Sequence, residues 1–348
     1  MKELAEIVDK VLEAGRSQGK ATGFLIGNTT KGHTAESYFI PIRETAIMVF
    51  GGAIVYSETQ AMAIAEALDG RVDYILVDAE KKLPSDRSLD GAEPANIERR
   101  VREIVKRSTL WIYKANDLTV HAIDYFLAHL HKDVLRGVGG KKVAILGAGN
   151  IGCKLALVLV ERGANVVLTR RDNRKLDTII EALNIIKPIS TLAQVTGTTD
   201  NEAAAAGADI LIGATPGTPV VTAQIVNRLA PNAVIVDVAK GALYPDAISV
   251  AEQRQLDIYR LDVSAAIEGL IQTLWSTEKN MLERCGRRDL HGEHMVSGGI
   301  LGRYGELVVD NVWDPSQVYG IADGCGDFIR ELSAVQQERL LKIQTLFE

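Results

Sequence analysis

Lys142-Val143-Ala144-Ile145-Leu146-Gly147-Ala148-Gly149-Asn150-Ile151-Gly152 is an apolar strand that runs into a G-x-G-x-x-G turn, with an apolar helix from Leu155 to Val160 directly behind it. Glycines let such a turn pass close to a pyrophosphate, and the helix beyond offers unpaired N–H groups and its positive dipole end. The motif alone is weak; set between a strand and a helix, with a second strand at the right distance, it specifies a dinucleotide-binding unit. Gly147 allows the tight turn, Gly149 the close approach of the pyrophosphate and Gly152 the packing of helix on strand, with Asn150 and Ile151 completing the loop. The second strand ends Val166-Val167-Leu168-Thr169-Arg170-Arg171, basic where an NAD site is usually acidic. Thr169, Arg170, Arg171 and Arg174 are therefore expected around a ribose 2′-phosphate, the arginines making charge-assisted hydrogen bonds. Asp172 argues the other way: if the strand ends later, its carboxylate takes the ribose hydroxyls. The expected cofactor is NADP, with NAD as the alternative.

Outward from this turn the pattern is βαβαβ, with strands expected at Val143–Leu146, Val166–Leu168, Ile210–Ile212, Val234–Val236 and Ile258–Leu261. Such alternation implies a parallel sheet covered on both faces. The strand Ala208-Asp209-Ile210-Leu211-Ile212-Gly213 breaks into Ala214-Thr215-Pro216 at its carboxyl end, where ligands of open α/β sheets sit. Ala214, Thr215 and Pro216 are thus expected on the nicotinamide side, and Asp237-Val238-Ala239-Lys240-Gly241 is a second such end.

Residues 1 to about 115 also alternate helix and strand, with helices at Glu3–Ala14, Ser57–Leu68 and Ile97–Val105 and strands at Tyr74–Val77 and Leu110–Tyr113. Thr45 to Val55, with Gly51-Gly52 in its middle, reads as two strands or as a strand entering a loop. The expected architecture is α/β with two domains, a Rossmann doubly wound parallel sheet preceded by a smaller α/β substrate domain. The boundaries are 1–117 for the substrate domain, 118–139 for a linking helix, 140–262 for the NADP-binding domain and 263–348 for a helical return segment and tail.

At 348 residues the chain is long enough for two ordinary domains. Hydrophobic residues make up 47% and charged residues 24%, the balance of a soluble protein with a full core. A net charge of −6 gives no reason to expect a nucleic acid or an anionic membrane as partner. Cys153, Cys285 and Cys325 lack pairing or metal-ligand spacing, and no stretch has the signature of a signal peptide or membrane span, so a cytoplasmic location is expected. His291-Gly292-Glu293-His294 has no third metal ligand nearby, and no metal is expected. A loop over 285–305, with Arg287, Arg288 and Arg303 among glycines, reads as a surface loop or as a lid over an anionic substrate.

The order of an α/β domain, a connecting helix, Ala144-Ile145-Leu146-Gly147-Ala148-Gly149, Ala214-Thr215-Pro216 and Val236-Asp237-Val238 resembles the superfamily of shikimate, methylene-tetrahydrofolate and amino-acid dehydrogenases. Within it, Thr45-Ala46-Ile47-Met48-Val49-Phe50-Gly51-Gly52 and the helix after it are similar to the first domain of NAD(P)-dependent methylene-tetrahydromethanopterin dehydrogenases. Asn116-Asp117-Leu118-Thr119 and Ala265-Ala266-Ile267-Glu268-Gly269-Leu270 look like corresponding elements there. The chain departs from that pattern at Ile271-Gln272-Thr273, where the family has lysines, and beyond about Leu282, where it has no counterpart.

The resemblance implies hydride transfer between a small-molecule substrate and the nicotinamide in an enzyme that is commonly a homo-oligomer. A methylene-tetrahydropterin is the first substrate expected: its nitrogen lone pairs expel hydride, and no general base is needed; Asn116, Asp117 and Glu268 then face the cleft. With a small carbonyl or imine, as in shikimate-type enzymes, a lysine and an aspartate move the proton. Asp117 is then the aspartate and Lys114, beside the same helix start, the first choice among Lys81, Lys82 and Lys114. A third reading is an NADP-binding sensor that passes no hydride. Trp111, Trp275 and Trp313 are expected in cores rather than against a pterin.

Overall fold

The computed structural model describes residues 2–29, 36–83, 95–215, 218–290 and 292–347. The chain divides into two compact units, Met1–Glu268 and Gly269–Glu348. Both large sheets lie in the first unit, each over its own apolar core.

The first sheet follows helix α1 (Lys2–Gln18) and has strands β1 (Ala21–Asn28), β2 (Tyr38–Glu44), β3 (Met48–Val55), β4 (Tyr74–Asp78) and β5 (Thr109–Tyr113), in the order β2-β3-β1-β4-β5. All pairings are parallel except that of the edge strand β2 with β3. Helices α2 (Glu58–Leu68) and α3 (Ile97–Ile104) cover it, burying Ala61, Ile64, Leu68 and Val101 against Phe24, Ile26 and Ile75. Strands β1 and β2 were not expected. The Gly51-Gly52 pair does not break β3, because at both positions the space of a side chain is already taken. A Cβ on Gly52 would stand 2.7 Å from Ile40 Cδ1, and one on Gly51 3.0 Å from Ile7 Cγ2.

Helix α4 (Ala115–Leu130) leads to the second sheet and packs Val120, Ile123 and Leu127 into that sheet's core. It ends at the His131 C-cap, and turns carry the chain through 131–140. The second sheet has strands β6 (Lys142–Leu146), β7 (Asn165–Thr169), β8 (Val195–Thr198), β9 (Ile210–Gly213), β10 (Val234–Asp237) and β11 (Asp257–Arg260). Helices α5 (Asn150–Glu161), α6 (Asn173–Ile186), α7 (Asn201–Ala205), α8 (Ala223–Asn227) and α9 (Pro245–Gln253) connect them. All pairings are parallel, and the order β11-β10-β9-β6-β7-β8 is the doubly wound Rossmann order, with its reversal between β6 and β9. Strand β8 escaped the sequence reading because Val195-Thr196-Gly197-Thr198 is polar; its glycine admits α6, since a Cβ there would meet Ile180 Cδ1 at 2.3 Å.

Helix α10 (Ser264–Glu283) crosses from the first unit into the second. The expected helix is present as α10, whereas the tail beyond it folds into a small sheet of β12 (Gly286–Leu290), β13 (Glu293–Ser297), β14 (Leu307–Val309) and β15 (Val318–Ile321), followed by α11 (Ala334–Phe347). Met295, Leu307, Val309, Ile321 and Ile343 form its core. Strands of three to five residues between glycine turns carry too little alternation to be read from sequence.

Candidate functional site

The glycine turn is built as a cradle. Gly147 has φ +119°, and a Cβ on it would lie 2.8 Å from the Ala214 carbonyl oxygen. A Cβ on Gly152 would lie 2.0 Å from the Gly147 carbonyl oxygen, so only glycine lets α5 start this close to β6. At Gly149 nothing stands within 4 Å of that position, which leaves the loop open to an approaching group. Gly149 is also the N-cap of α5 and supplies no side-chain acceptor, so the first N–H groups of the helix stay available to an anion.

A cleft of about 560 Å³ opens beside this turn, lined by Gly147, Gly149, Thr169, Arg170, Arg171 and Thr215, with Ala214, Asp172, Thr199 and Asn201 around them. Its size is that of a ligand site, where pockets run about 300–1,000 Å³. The two arginines differ. Arg170 Nη1 donates to the Ala148 carbonyl at 2.6 Å and its buried Nε has no partner among the described residues, whereas Arg171 is exposed at the rim. Asp172 caps α6 by accepting from the Lys175 N–H at 3.1 Å and lies 3.7 Å from Lys175 Nζ. Its carboxylate is thus engaged at the helix start. Arg174 is exposed on the first turn of α6 and is not among the cleft-lining residues; Ile151 packs into the core below. Pro216 lies outside the described residues. Thr199 and Asn201 were missed because they follow the unrecognised strand β8.

A second set of groups gathers at the carboxyl ends of β1, β4 and β5. Asp78, wholly buried, takes Lys82 Nζ at 2.7 Å, the Asn28 side-chain N–H at 3.1 Å and the Ala115 N–H at 3.3 Å. Burial pushes its carboxyl above the usual range even against the Lys82 ammonium. Lys82 also pairs with Glu80 at 2.9 Å, and Glu80 accepts from the Asn116 N–H at 2.9 Å. Tyr113 stands beside them, its hydroxyl pushed well above the ordinary range by burial and then by Asp78 and Glu80.

Asp117 joins this set to the second sheet. It binds Lys114 Nζ at 2.7 Å through one oxygen and Lys154 Nζ through the other, and Lys154 also lies 3.7 Å from Glu80. Partial burial opposes ionisation of Asp117, but the two ammonium groups overcome it and hold the carboxyl below its usual range. Asn116 Nδ2 donates to Asn150 Oδ1 at 3.1 Å. Asn150 and Lys154 are one turn apart on α5, so the helix that begins at the glycine cradle presents both to the first sheet. Sequence reading singled out Lys82, Lys114, Asn116 and Asp117 but missed Lys154, Asp78 and Glu80; the four-residue step from Asn150 to Lys154 was the available signal.

Glu268 is not brought to this set. Its Oε1 accepts from the Ala46 N–H at 3.1 Å, in the turn before β3 begins, whereas Asn28 and Asp78 end the parallel neighbours of that sheet. Its carboxylate therefore braces the opposite end of the sheet. Lys81 is likewise elsewhere, donating to Asn96 Oδ1 at 2.7 Å, and Trp111 is buried. The expected loop over 285–305 contains a hairpin in which Arg287 pairs with Glu306 at 2.9 Å and Arg288 lies over the Trp313 ring. His291 lies outside the described residues, and among the described residues no cluster of His, Cys, Asp or Glu has metal-binding geometry.

Residues 142–257 match the family model described as the N-terminus of NAD-dependent glycerol-3-phosphate dehydrogenase. This segment is a Rossmann domain. It is 31% identical over 123 residues to the glycerol-3-phosphate dehydrogenase [NAD(P)+] of Bacillus subtilis strain 168, an alignment covering 34% of this chain and 36% of that protein. The corresponding protein of Bacillus velezensis is 30% identical over 132 residues, covering 35% of this chain and 38% of its own. The chain thus spans little more than a third of the length of these curated relatives. Among solved structures, a shikimate dehydrogenase in complex with NADP+ superposes at a TM-score of 0.40 with 17% identity, covering 74% of this chain and 91% of that one. The hetero-hexameric glutamate dehydrogenase from Thermus thermophilus superposes at 0.42 with 14% identity, covering 75% and 70%.

Proposed function

We propose that this chain is an NADP-dependent oxidoreductase that transfers hydride between a small carbonyl or imine and the nicotinamide, with residues 1–117 as the substrate domain and residues 140–262 holding the cofactor. The open face at Gly149, the uncapped start of α5 and the exposed Arg171 fit a dinucleotide bearing a 2′-phosphate. The sequence likeness of 142–257 to NAD(P)+-using glycerol-3-phosphate dehydrogenases supports the same cofactor class.

The observation that carries the choice of substrate class is the Lys114–Asp117–Lys154 set, in which Lys154 of α5, the helix that leaves the glycine cradle, meets Asp117 and Lys114 at the start of α4. When bound, the nicotinamide supplies or accepts the hydride. The chain's own residues manage the proton. Lys154 Nζ holds the proton that a carbonyl oxygen or imine nitrogen takes as negative charge develops there, and Asp117 keeps that ammonium aimed. Lys114 occupies the other carboxylate oxygen, and Asn116 with Asn150 fixes the start of α5 against the first sheet. A methylene-tetrahydropterin needs no such acid–base set, and it is the second reading. A cytoplasmic homo-oligomer completes the proposal; the three cysteines are free thiols, and no helix among the described residues is long and apolar enough to cross a membrane.

The test is spectroscopic. NADPH is mixed with a panel of 2-oxo acids, hydroxyketones and their imines, and NADP+ separately with methylene-tetrahydrofolate and methylene-tetrahydromethanopterin, while reduced-nicotinamide absorbance is followed. Turnover of a carbonyl or imine that Lys154→Met abolishes supports the proposal. Turnover confined to a pterin and indifferent to Lys154→Met replaces it with the second reading, and NADPH binding without turnover on any substrate identifies a sensor.

A further inference from the structure

The C-terminal unit has an open cavity of about 500 Å³ at its surface, within the size range of small-molecule sites. All its lining residues lie between Asn280 and Phe328, so it belongs to this unit alone. Its walls are apolar: Ile300, Leu301, Val308, Ala322 and the ring of Phe328. They are held by braced turns. Phe328 lies against Gly320, where a Cβ would stand 2.7 Å from its Cδ1, and the turn before it is tied by Asp323 N–H to the Asp327 carbonyl at 2.9 Å and by the Asp327 N–H to Asp323 Oδ1 at 3.0 Å. Ser297, buried, donates to the Arg284 carbonyl and accepts from the Val312 N–H at 3.1 Å, which pins the end of α10 to the sheet. Gly298 permits this approach, since a Cβ there would come within 2.4 Å of Cys285 Cα.

The charged groups at the cavity are unequal. Asp310 is consumed by the Ser316 and Gln317 N–H groups at 3.0 and 2.9 Å and by the Ser316 hydroxyl at 2.7 Å. Asp327 is consumed by the Phe328 N–H at 2.8 Å and Arg330 at 3.3 Å. Both carboxyls are held below the usual range, Asp310 against partial burial by its turn, and Asp327 by the Phe328 N–H first and then Arg330. Arg284 lines the same cavity with no acidic partner among the described residues, one helical turn from Asn280. The cavity therefore presents an apolar body and a single uncommitted cation.

We propose that this cavity is a second binding site, separate from the dinucleotide cleft, for a small monocarboxylate with an aromatic or branched apolar body. The body lies against Phe328, Val308 and Ile300, and the carboxylate pairs with Arg284, with the Asn280 amide beside it.

The probe is 4-fluorophenylacetate, followed by fluorine resonance broadening on the full chain and competed with phenylacetate, 2-phenylethanol and 2-phenylethylamine. Saturable broadening below about 10 mM is expected, displaced by phenylacetate about tenfold more readily than by the alcohol, with the amine weakest. Arg284→Gln, at an exposed side chain, removes the preference for phenylacetate over the alcohol; Phe328→Ala weakens both; Arg288→Gln and Arg171→Ala, outside the cavity, change neither. Absence of saturable broadening overturns the proposal. So does an unchanged preference in Arg284→Gln, equal displacement by the amine, or loss of binding in Arg171→Ala, which would place the probe in the dinucleotide cleft.

Discussion

Replacing Arg171 with alanine separates reading of the 2′-phosphate from binding of the rest of the dinucleotide. Arg171 is exposed at the rim of the cleft, and among the described residues no hydrogen bond or ion pair ties its side chain down. Its guanidinium is therefore available in full to a phosphate, and its removal breaks nothing else. Arg170 is the poorer reader: one of its donors is spent on the Ala148 carbonyl at 2.6 Å, so truncating it also loosens the glycine turn. A hydrogen bond to a charged group contributes about 1.5–3 kcal/mol, and solvent at the rim favours the lower end. At about 1.4 kcal/mol per factor of ten, Arg171→Ala should weaken NADPH binding roughly tenfold to a hundredfold and leave NADH within about twofold. Arg170→Ala should weaken both nucleotides, because both need the turn. The measurement is fluorescence titration of each reduced nucleotide with each variant, repeated at two salt concentrations, since a rim contact is screened by salt. Equal loss of NADPH and NADH in Arg171→Ala, or no loss of NADPH, refutes the assignment of the 2′-phosphate to this arginine.

Lys154→Met should lower kcat by about two to four orders of magnitude while NADPH affinity stays within about twofold, as expected for a lost proton donor; a pure rise in KM would mark Lys154 as a binding group only. Gly152→Ala places a Cβ 2.0 Å from the Gly147 carbonyl oxygen, so it should destabilise by about 1–3 kcal/mol and weaken both nucleotides, read from urea midpoints and titrations. An unchanged midpoint would show that the turn can yield. Burial opposes ionisation of Asp69, but the Ser108, Arg107 and Lys106 N–H groups outweigh it and hold its carboxyl at about 2. The unfolded chain takes up that proton first, so the stability from ionised Asp69 is present above the unfolded-state value near 4 and is lost as pH falls toward about 2. Asp69→Asn should flatten the fall of the urea midpoint with acid in that window, and an unaltered slope would assign the acid lability to other carboxylates.

The second sheet was legible except for the polar β8, because β6, β7, β9 and β10 are largely apolar runs and its decisive loop carries glycines at fixed spacing. The first sheet was only half legible. Its β3 glycines look like a break when read along the chain; Ile40 and Ile7, brought over them by other elements, make them tight packing positions. The small C-terminal sheet was not legible at all, since its strands become strands only through partners such as Met295 against Leu307. Among site residues, Asp117 and Lys114 stand at a helix start, a local feature that spacing reveals. Glu268 also stands near the start of a helix, yet its carboxylate is spent on a backbone amide at the far end of the sheet.

From its sequence alone this protein was bound to carry a glycine turn between β6 and α5, because the turn's stereochemistry depends on neighbouring residues only. Which arginine is left uncommitted, and that Asp172 is a helix cap, depended on how α6 starts against β7. That Lys154 meets Asp117 and Glu80 was decided by tertiary structure, because these charges lie on elements far apart in the chain and only the packing of α4 against α5 sets their distance.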